Sequence, residues 1–393
     1  MTTAVLETYR SAVRQELENI LRFWNDHTFD EKNGGFIGKM DVQGQIDANA
    51  PKGLVLNARI LWTFSSAYPH TQNPRDWAAA QRAVGALAPF KDAQWGGYYW
   101  STQADGTPLE LRKQIYGLAF VLYGLSEFYK ISKDAHVLEE CWAIYRWIEK
   151  NSFNPKNKGY LEAVARDGSA LEDLRLSSKD LNAPLSMNTH LHILEAYTNL
   201  YRIAPDEALK GQLENLVDVF LTHIIDADAK HLHLFFDEHW QPIGTEVSYG
   251  HDIEAAWLLL EAAEVIHYQV AACQKIAVEI AEAVLPALDS EGGLDYEAHR
   301  RERHWWVQAE AMVGFLNAYQ VSKEARFLEK SKLCWDFIQQ YMIDRTHGEW
   351  FWGYTEDGQL MRGEDKVGFW KCPYHNARAC MEVERRLVDE LIG

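Results

Sequence analysis

A short glycine-aromatic segment returns six times along this chain, and that recurrence limits the possible folds more than any other feature. It reads NGGFIGKMDVQG at 33–44, WGGYYWSTQADG at 95–106, KGYLEAVARDG at 158–168 and, in weaker form, HLHLFFDEHWQP at 231–242. GGLDYEA at 292–298 and GEWFWGYTEDG at 348–358 complete the set. Glycine, alternating aromatics and then Asp-Gly or Gln-Gly is the pattern of a tight β-hairpin. The units follow one another at steps of about 65 residues, a period that belongs to repeat architectures.

Between the hairpins the apolar spacing is helical. It predicts twelve helices, two per unit, over 3–25, 53–68, 74–90, 112–130, 134–150, 187–202, 206–224, 251–268, 270–287, 303–320, 324–341 and 373–391. Pro74, Pro205 and Pro373 stand where a helix can begin. Several helices, counted as the odd-numbered ones, look apolar almost all round. Residues 54–64, LVLNARILWTF, show only Asn57 and Arg59 as polar, and a helix hydrophobic on every side is buried. The simplest closure is six inner helices within six outer ones, an all-α (α/α)6 barrel with the hairpins as loops at one end. Closing the ring removes the ends that an open helical array, the alternative, has to cap. Although 393 residues is long for one domain, the unbroken repeat predicts a single catalytic domain over 1–393.

Composition narrows the function. Lys plus Arg number 39 and Asp plus Glu 57, a formal net charge of −18. So acidic a surface repels phosphate backbones and anionic lipid, which argues against nucleic-acid and membrane partners. No uncharged apolar run is long enough to cross a bilayer. The N-terminus carries charges throughout and shows no secretory h-region, so a cytoplasmic location is expected. The five cysteines form no CxxC and no even framework, the pattern of free buried thiols. Fifteen tryptophans exceed what a core needs; flat indole faces pack well on the C–H faces of pyranose rings. A closed barrel needs no partner to finish its core, so a monomer is expected, with a dimer as the alternative.

Ionisable groups on buried helices need partners or a wet cavity. Asn188, His192, Glu195 and Asn199 step by four, three and four along one helix face. His251 and Glu254 are three apart, with Trp257 a turn beyond, and Trp306 and Glu310 are four apart. Tyr116 lies in the apolar turn KQIYGLA. In FWKCPYHNARAC, Trp370 precedes a helix start and His375 falls in its first turn, where the helix dipole disfavours imidazolium. Stripes on different inner helices of a barrel converge on its axis. Glu254 reads here as a group that can hold the His251 tautomer, while His190, His231, His233 and His239 read as structural or surface residues.

The chemistry that suits this set is proton abstraction beside a carbonyl. His190 and His192 diverge on a helix, so they do not form a metal site, and the order His-x-x-Glu is the reverse of the di-iron pattern. GxSxG, Walker and GxGxxG motifs are absent. No metal and no cofactor are expected. In an opened aldose the C2 proton is acidic. One neutral imidazole can remove it and another can return a proton from the opposite face, with Arg59, Tyr116 and Asn188 as donors to the enediolate oxygen.

MNTHLHILEAYTNLYR, SYGHDIEAAWLLLEAAE, HWWVQAEAMVGFLNAYQ and GFWKCPYHNARAC together resemble the N-acylglucosamine 2-epimerase superfamily, and within it the cellobiose 2-epimerases. The resemblance runs from KGLVLNARILW to the C-terminus. It implies an (α/α)6 barrel and reversible C2 epimerisation of the reducing-end glucose of β-1,4-linked disaccharides, without metal or nucleotide. His251 and His375 resemble the acid/base pair, and His192 the third active-site histidine. Glu254 resembles the carboxylate that orients a catalytic histidine, and Arg59 the arginine at the substrate oxygens near C1 and C2. Tyr116, Asn188 and Glu310 match pocket-lining positions, Trp306 and Trp370 the tryptophans that sandwich the sugars, and Asp180 a pocket-side acid. Three alternatives remain at this stage: a monosaccharide 2-epimerase or aldose–ketose isomerase, a glycoside hydrolase using Asp180, Glu254 or Glu310, and a non-catalytic sugar-binding protein.

Overall fold

The computed structural model describes residues 1–392. Its twelve α-helices are α1 (Thr3–His27), α2 (Leu54–Thr71), α3 (Pro74–Ala86), α4 (Ile115–Ser132), α5 (Ala135–Asn151), α6 (Met187–Ile203), α7 (Glu207–Val219), α8 (Tyr249–Ile266), α9 (Val270–Val284), α10 (Trp305–Ser322), α11 (Ala325–Phe337) and α12 (Tyr374–Ile392). One π-helical turn extends α7 over Phe220–Ile224 and another extends α11 over Ile338–Met342.

The fold is an (α/α)6 barrel. Helices α2, α4, α6, α8, α10 and α12 pack side by side, and α12 returns to α2 to close the inner ring. The outer helices follow the same order, α3 on α2, α5 on α4, α9 on α8, α11 on α10 and α1 on α12, with α7 between α6 and α8 and α9 also touching α10. The inner ring is therefore the even-numbered set, the reverse of the expected parity. The segment that starts the count, α1, is amphipathic. It buries one stripe through Leu6, Tyr9, Val13, Leu17 and Ile20 and leaves its charged face to solvent. Helix α4 shows the opposite pattern, with every residue from Ile115 to Phe128 buried.

Local chemistry sets the boundaries. Asp134 and Asp206 cap α5 and α7 by accepting backbone N–H bonds, and Asn73 caps α3 ahead of Pro74. Inner helices approach most closely where a side chain is missing. A Cβ on Gly314 of α10 would stand 2.5 Å from Ile253 of α8, and one on Gly124 of α4 would stand 2.7 Å from the Ala58 carbonyl of α2. Neither contact leaves room for a methyl group.

The two ends of the barrel differ. Inner helices pass to outer ones through tight connections, such as 72–73 and 133–134. Outer helices return to inner ones through the long segments 28–53, 87–114, 152–186, 225–248, 285–304 and 343–373, which carry every strand among the described residues. Each begins with the turn predicted from the repeat. Asp30, Asp92, Asp226, Asp289 and Asp344 each accept backbone N–H bonds from residues just ahead in the turn, and Asn154 does the same. The residue at positive φ is glycine at 34, 96, 292 and 348 but Lys158 and Lys230 in the other two units. The fourth unit was faint in the sequence because Lys230 and Trp240 hold its left-handed positions without glycine. Lys52, Lys113 and Lys366 tie the turns to the chain just ahead of the inner helices, bonding Asp30 (2.7 Å), Asp92 (3.0 Å) and Asp344. No helix among the described residues is long and apolar enough to cross a membrane.

Candidate active site

Because the long segments all lie at one end, the first turns of the inner helices open toward a shared mouth. Arg59 is on the second turn of α2, Tyr116 on the first turn of α4, Asn188 and His192 on α6, and His251 and Glu254 on α8. Trp306 and Glu310 follow on α10 and His375 on α12, with Trp370 just ahead of it. They surround a cavity of about 410 Å³. Ten of the eleven predicted site residues line it; Glu310 stands behind its wall. Asp180 reaches it from the segment 171–183, where its carboxylate accepts the Ser177 backbone N–H at 2.7 Å.

The three histidines share one arrangement. His192 Nδ1 meets Glu195 Oε2 at 2.9 Å, His375 Nδ1 meets Glu310 Oε1 at 2.7 Å, and His251 Nδ1 meets the Ser248 hydroxyl at 2.7 Å. In each case Nδ1 is occupied by the protein. A carboxylate can only accept, so His192 and His375 carry their proton on Nδ1 and keep a lone pair on Nε2. Burial pushes the His251 and His375 pKa values down to about 3 and that of His192 well below the usual range; the nearby Glu310 charge opposes this at His375. All three rings are therefore neutral bases at physiological pH.

Glu254 does not take the orienting role assigned to it. Its Oε1 is 3.9 Å from His375 Nδ1, beyond hydrogen-bond range, and accepts from Arg378 Nη2 at 2.6 Å instead. Glu310 makes the bond to the ring, held in turn by Arg378 Nη2 at 2.6 Å and by Trp257 Nε1 at 3.1 Å. The reason is reach. Both carboxylates point at the barrel axis from neighbouring helices, and the one on α10 comes closer to the start of α12.

Arg378 is the residue that the sequence reading missed. Fully enclosed one turn beyond His375, its guanidinium bonds Glu195, Glu254, Glu310 and the Tyr374 hydroxyl. Tyr374 also donates to Glu195 at 2.5 Å. Three buried carboxylates share this one cation. Burial and the Glu310 charge push the Glu254 carboxyl up, toward its neutral form, whereas Arg378 and His375 overcome burial and keep Glu310 low. Glu254, Glu310 and His375 bring donor atoms within 4.8 Å of one another, as a cation site would. The guanidinium of Arg378 already supplies a positive charge to both carboxylates. The missed signal was an arginine among alanines, NARAC, on an otherwise apolar helix face.

The remaining polar groups face the cavity with capacity to spare. Arg59 Nη2 donates to the Tyr116 hydroxyl at 2.7 Å, and its guanidinium lies 4.2 Å from the Phe120 ring centre. Arg59 Nε and Asn188 Oδ1 are buried without a hydrogen-bond partner among the described residues. Trp306 stands beside both bases, 4.8 Å from the His251 ring centre and 5.5 Å from that of His375. It is seated on Gly250, where a Cβ would come within 2.6 Å of the indole. Trp370 stands on the Tyr116 side, 6.0 Å between ring centres. Asn199 bonds Ser126 and Glu127 further along the ring and takes no part. His190 accepts the Tyr160 N–H, and His231 pairs with Asp252, both structural as expected.

Known proteins share this fold over nearly the whole chain. The N-acylglucosamine 2-epimerase (GlcNAc 2-epimerase) family model matches residues 35–379. A cellobiose 2-epimerase of Bacteroides fragilis is 44% identical, covering 96% of this chain and 99% of its own. One from Dictyoglomus turgidum is 40% identical, covering 97% and 100%. The solved cellobiose 2-epimerase of Bacillus thermoamylovorans B4167 superposes with a TM-score of 0.93 at 39% identity, over 97% of this chain and 100% of that one. The chain belongs to the N-acylglucosamine 2-epimerase family.

Proposed function

We propose that this chain is an isomerase that epimerises C2 of the reducing-end sugar of β-1,4-linked disaccharides such as cellobiose and lactose, interconverting glucose and mannose at that position. The observation that carries the reading is the pairing of His251 and His375 across Trp306. Both are neutral, both are anchored through Nδ1, and both line one cavity. Once the sugar ring is open, one Nε2 removes the C2 proton and the other delivers a proton to the opposite face. Arg59 carries an unspent N–H donor on the side where the enediolate oxygens develop charge, and His192 adds a third ring at the reducing end. Trp306 and Trp370 hold the pyranose faces, and Asp180 is placed for hydroxyls further out. Every proton in this scheme is moved by a side chain, so the reaction calls for no cofactor or metal.

The cellobiose 2-epimerases among the relatives support the disaccharide. The whole chain acts as one catalytic domain, read as a monomer in the cytoplasm. Five buried free cysteines and a net charge of −18 support that location and the absence of nucleic-acid and membrane partners.

Cellobiose, glucose and mannose incubated separately in D2O and followed by NMR test the reading. Deuterium at C2 together with a manno product from cellobiose is the expected result. Turnover of the free monosaccharides alone would shift the assignment to a monosaccharide epimerase or isomerase. Free glucose released from cellobiose would replace it with hydrolysis, and unchanged sugars would leave a binding protein.

A further inference from the structure

The turn of the sixth unit departs from its siblings. In the first and second units the turn closes on two consecutive glycines in the left-handed region, Gly34 and Gly35, then Gly96 and Gly97. In the sixth the pair is Gly348 and Glu349, and Glu349 holds φ at +61° with a full side chain. Glycine enters that region freely, whereas other residues are strained in it. A strained residue persists where its surroundings over-determine it.

The surroundings of Glu349 are the junction that delivers two site residues. Its side chain is buried, and its Oε1 accepts from Lys371 Nζ at 2.8 Å and from Asn376 Nδ2 at 2.6 Å. Lys371 follows Trp370 in the chain and Asn376 follows His375, so one carboxylate oxygen grips both sides of the bend at Pro373. The other oxygen, Oε2, accepts from Trp24 Nε1 of the outer helix α1 at 2.6 Å. Lys371 and Asn376 are fully enclosed, and the Lys371 ammonium lies 5.1 Å from the ring centre of Trp305, the neighbour of Trp306. The turn itself has no need of this second tie, because Lys366 already fastens it through Asp344 and the Gly348 carbonyl. Nor does the bond from Glu310 replace it. That bond orients the His375 imidazole but does not fix where the first turn of α12 stands relative to Trp370.

We infer that Glu349 is a positioning residue that acts through Lys371 and Asn376 to set the separation of the Trp370 indole from the His375 imidazole. The Lys371 arm places the surface on which the sugar rests. The Asn376 arm places the base that works on its C2 proton. A displacement of about 1 Å between reacting groups can lower a rate by about a hundredfold, so a tie this far from the sugar still reaches the chemistry.

This inference rests on the proposed epimerisation, and a set of variants separates the two. Initial rates with cellobiose are measured for each protein below its melting transition. Asn376→Ala releases α12 alone, and kcat should fall about tenfold or more with KM within about threefold of wild type. Lys371→Met releases the Trp370 side, and KM should rise about tenfold or more with a smaller change in kcat. Glu349→Met combined with Lys371→Met removes both buried charges together, so it also stands in for Lys371→Met if that variant does not fold. This double variant should show both shifts. Adding Asn376→Ala to it should lower kcat no further, since the bond it cuts is already gone. A residue that only stabilises the turn would lower melting temperatures and leave this split absent. Constants within about twofold of wild type, kcat and KM shifted alike in every variant, or a further kcat loss on adding Asn376→Ala overturns the positioning role while epimerisation stands. A wild type that forms no epimer overturns both.

Discussion

His375 Nδ1 lies 2.7 Å from Glu310 Oε1, and the same carboxylate oxygen accepts from Arg378 Nη2 at 2.6 Å. The histidine on α12 is thus oriented from α10 and its tautomer fixed by an anion that cannot donate. Glu254, 3.9 Å from the same nitrogen, bonds Arg378 instead, and burial and the Glu310 charge push its carboxyl toward the neutral form.

The two carboxylates should respond differently to the same substitution. Glu310→Gln replaces an obligate acceptor with a group that can turn its amide toward the ring, and kcat should fall by about a hundredfold or more. Glu254→Gln replaces the carboxyl that burial and Glu310 push toward the neutral form, and activity should stay within about tenfold of wild type. Steady-state kinetics of both variants settle this, and equal losses would refute the unequal roles of the two carboxylates.

Turnover should depend on both bases and the fold on neither. His251→Ala and His375→Ala each remove one proton carrier, and kcat should drop by at least about a hundredfold with the melting transition retained. Retained activity in either variant, measured alongside circular dichroism, would remove that residue from the acid/base role.

Arg378 should matter for folding as much as for chemistry. Arg378→Met leaves the Glu310 carboxylate, which Arg378 holds low, buried without its cation, and breaking a buried ion pair from one side costs about 3–5 kcal/mol. Urea denaturation should show a loss of that order. A loss below about 1 kcal/mol would mean that Glu310 is solvated or protonated in the wild type.

Acid should act on stability before it acts on the bases in the folded enzyme. His251 and His375 titrate near 3 in the fold and near 6.5 when unfolded, so below about pH 6.5 the unfolded chain binds more protons. Stability is whole above that pH and is lost as pH falls toward 3, by up to about 1.4 kcal/mol per pH unit for each ring. Denaturation midpoints from pH 7.5 to 5 should decline accordingly, less steeply in His251→Asn. The acid limb of kcat/KM should lie below the usual histidine range; a limb near 6.5 would contradict the assigned protonation.

Helix order and the convergence of polar stripes could be read in the sequence because both follow from period: apolar positions repeat along each helix, and a ring sends its polar residues inward. The parity of the inner ring could not, since it depends on whether α1 packs outside α12, a contact between distant parts of the chain. Spacing also pointed to Glu254, which sits one turn from His251, rather than to Glu310, whose helix carries no histidine, whereas the choice depends on how far each reaches toward α12. Ser248 was hidden for another reason: a serine ahead of a helix reads as a cap, and only the rotamer reveals that it serves the ring.

The uneven lengths of the connections carry a consequence for how such enzymes diversify. At the end remote from the sugar, two- or three-residue linkers such as 133–134 leave no slack, and an insertion there would pry neighbouring staves apart. At the other end, the extended 152–186 excursion rises over the reacting groups from two anchored feet, its tip free to lengthen or shrink while Arg59, His251 and His375 keep their places. Selection for a new glycan can therefore rewrite the rim of the barrel and leave its proton chemistry untouched.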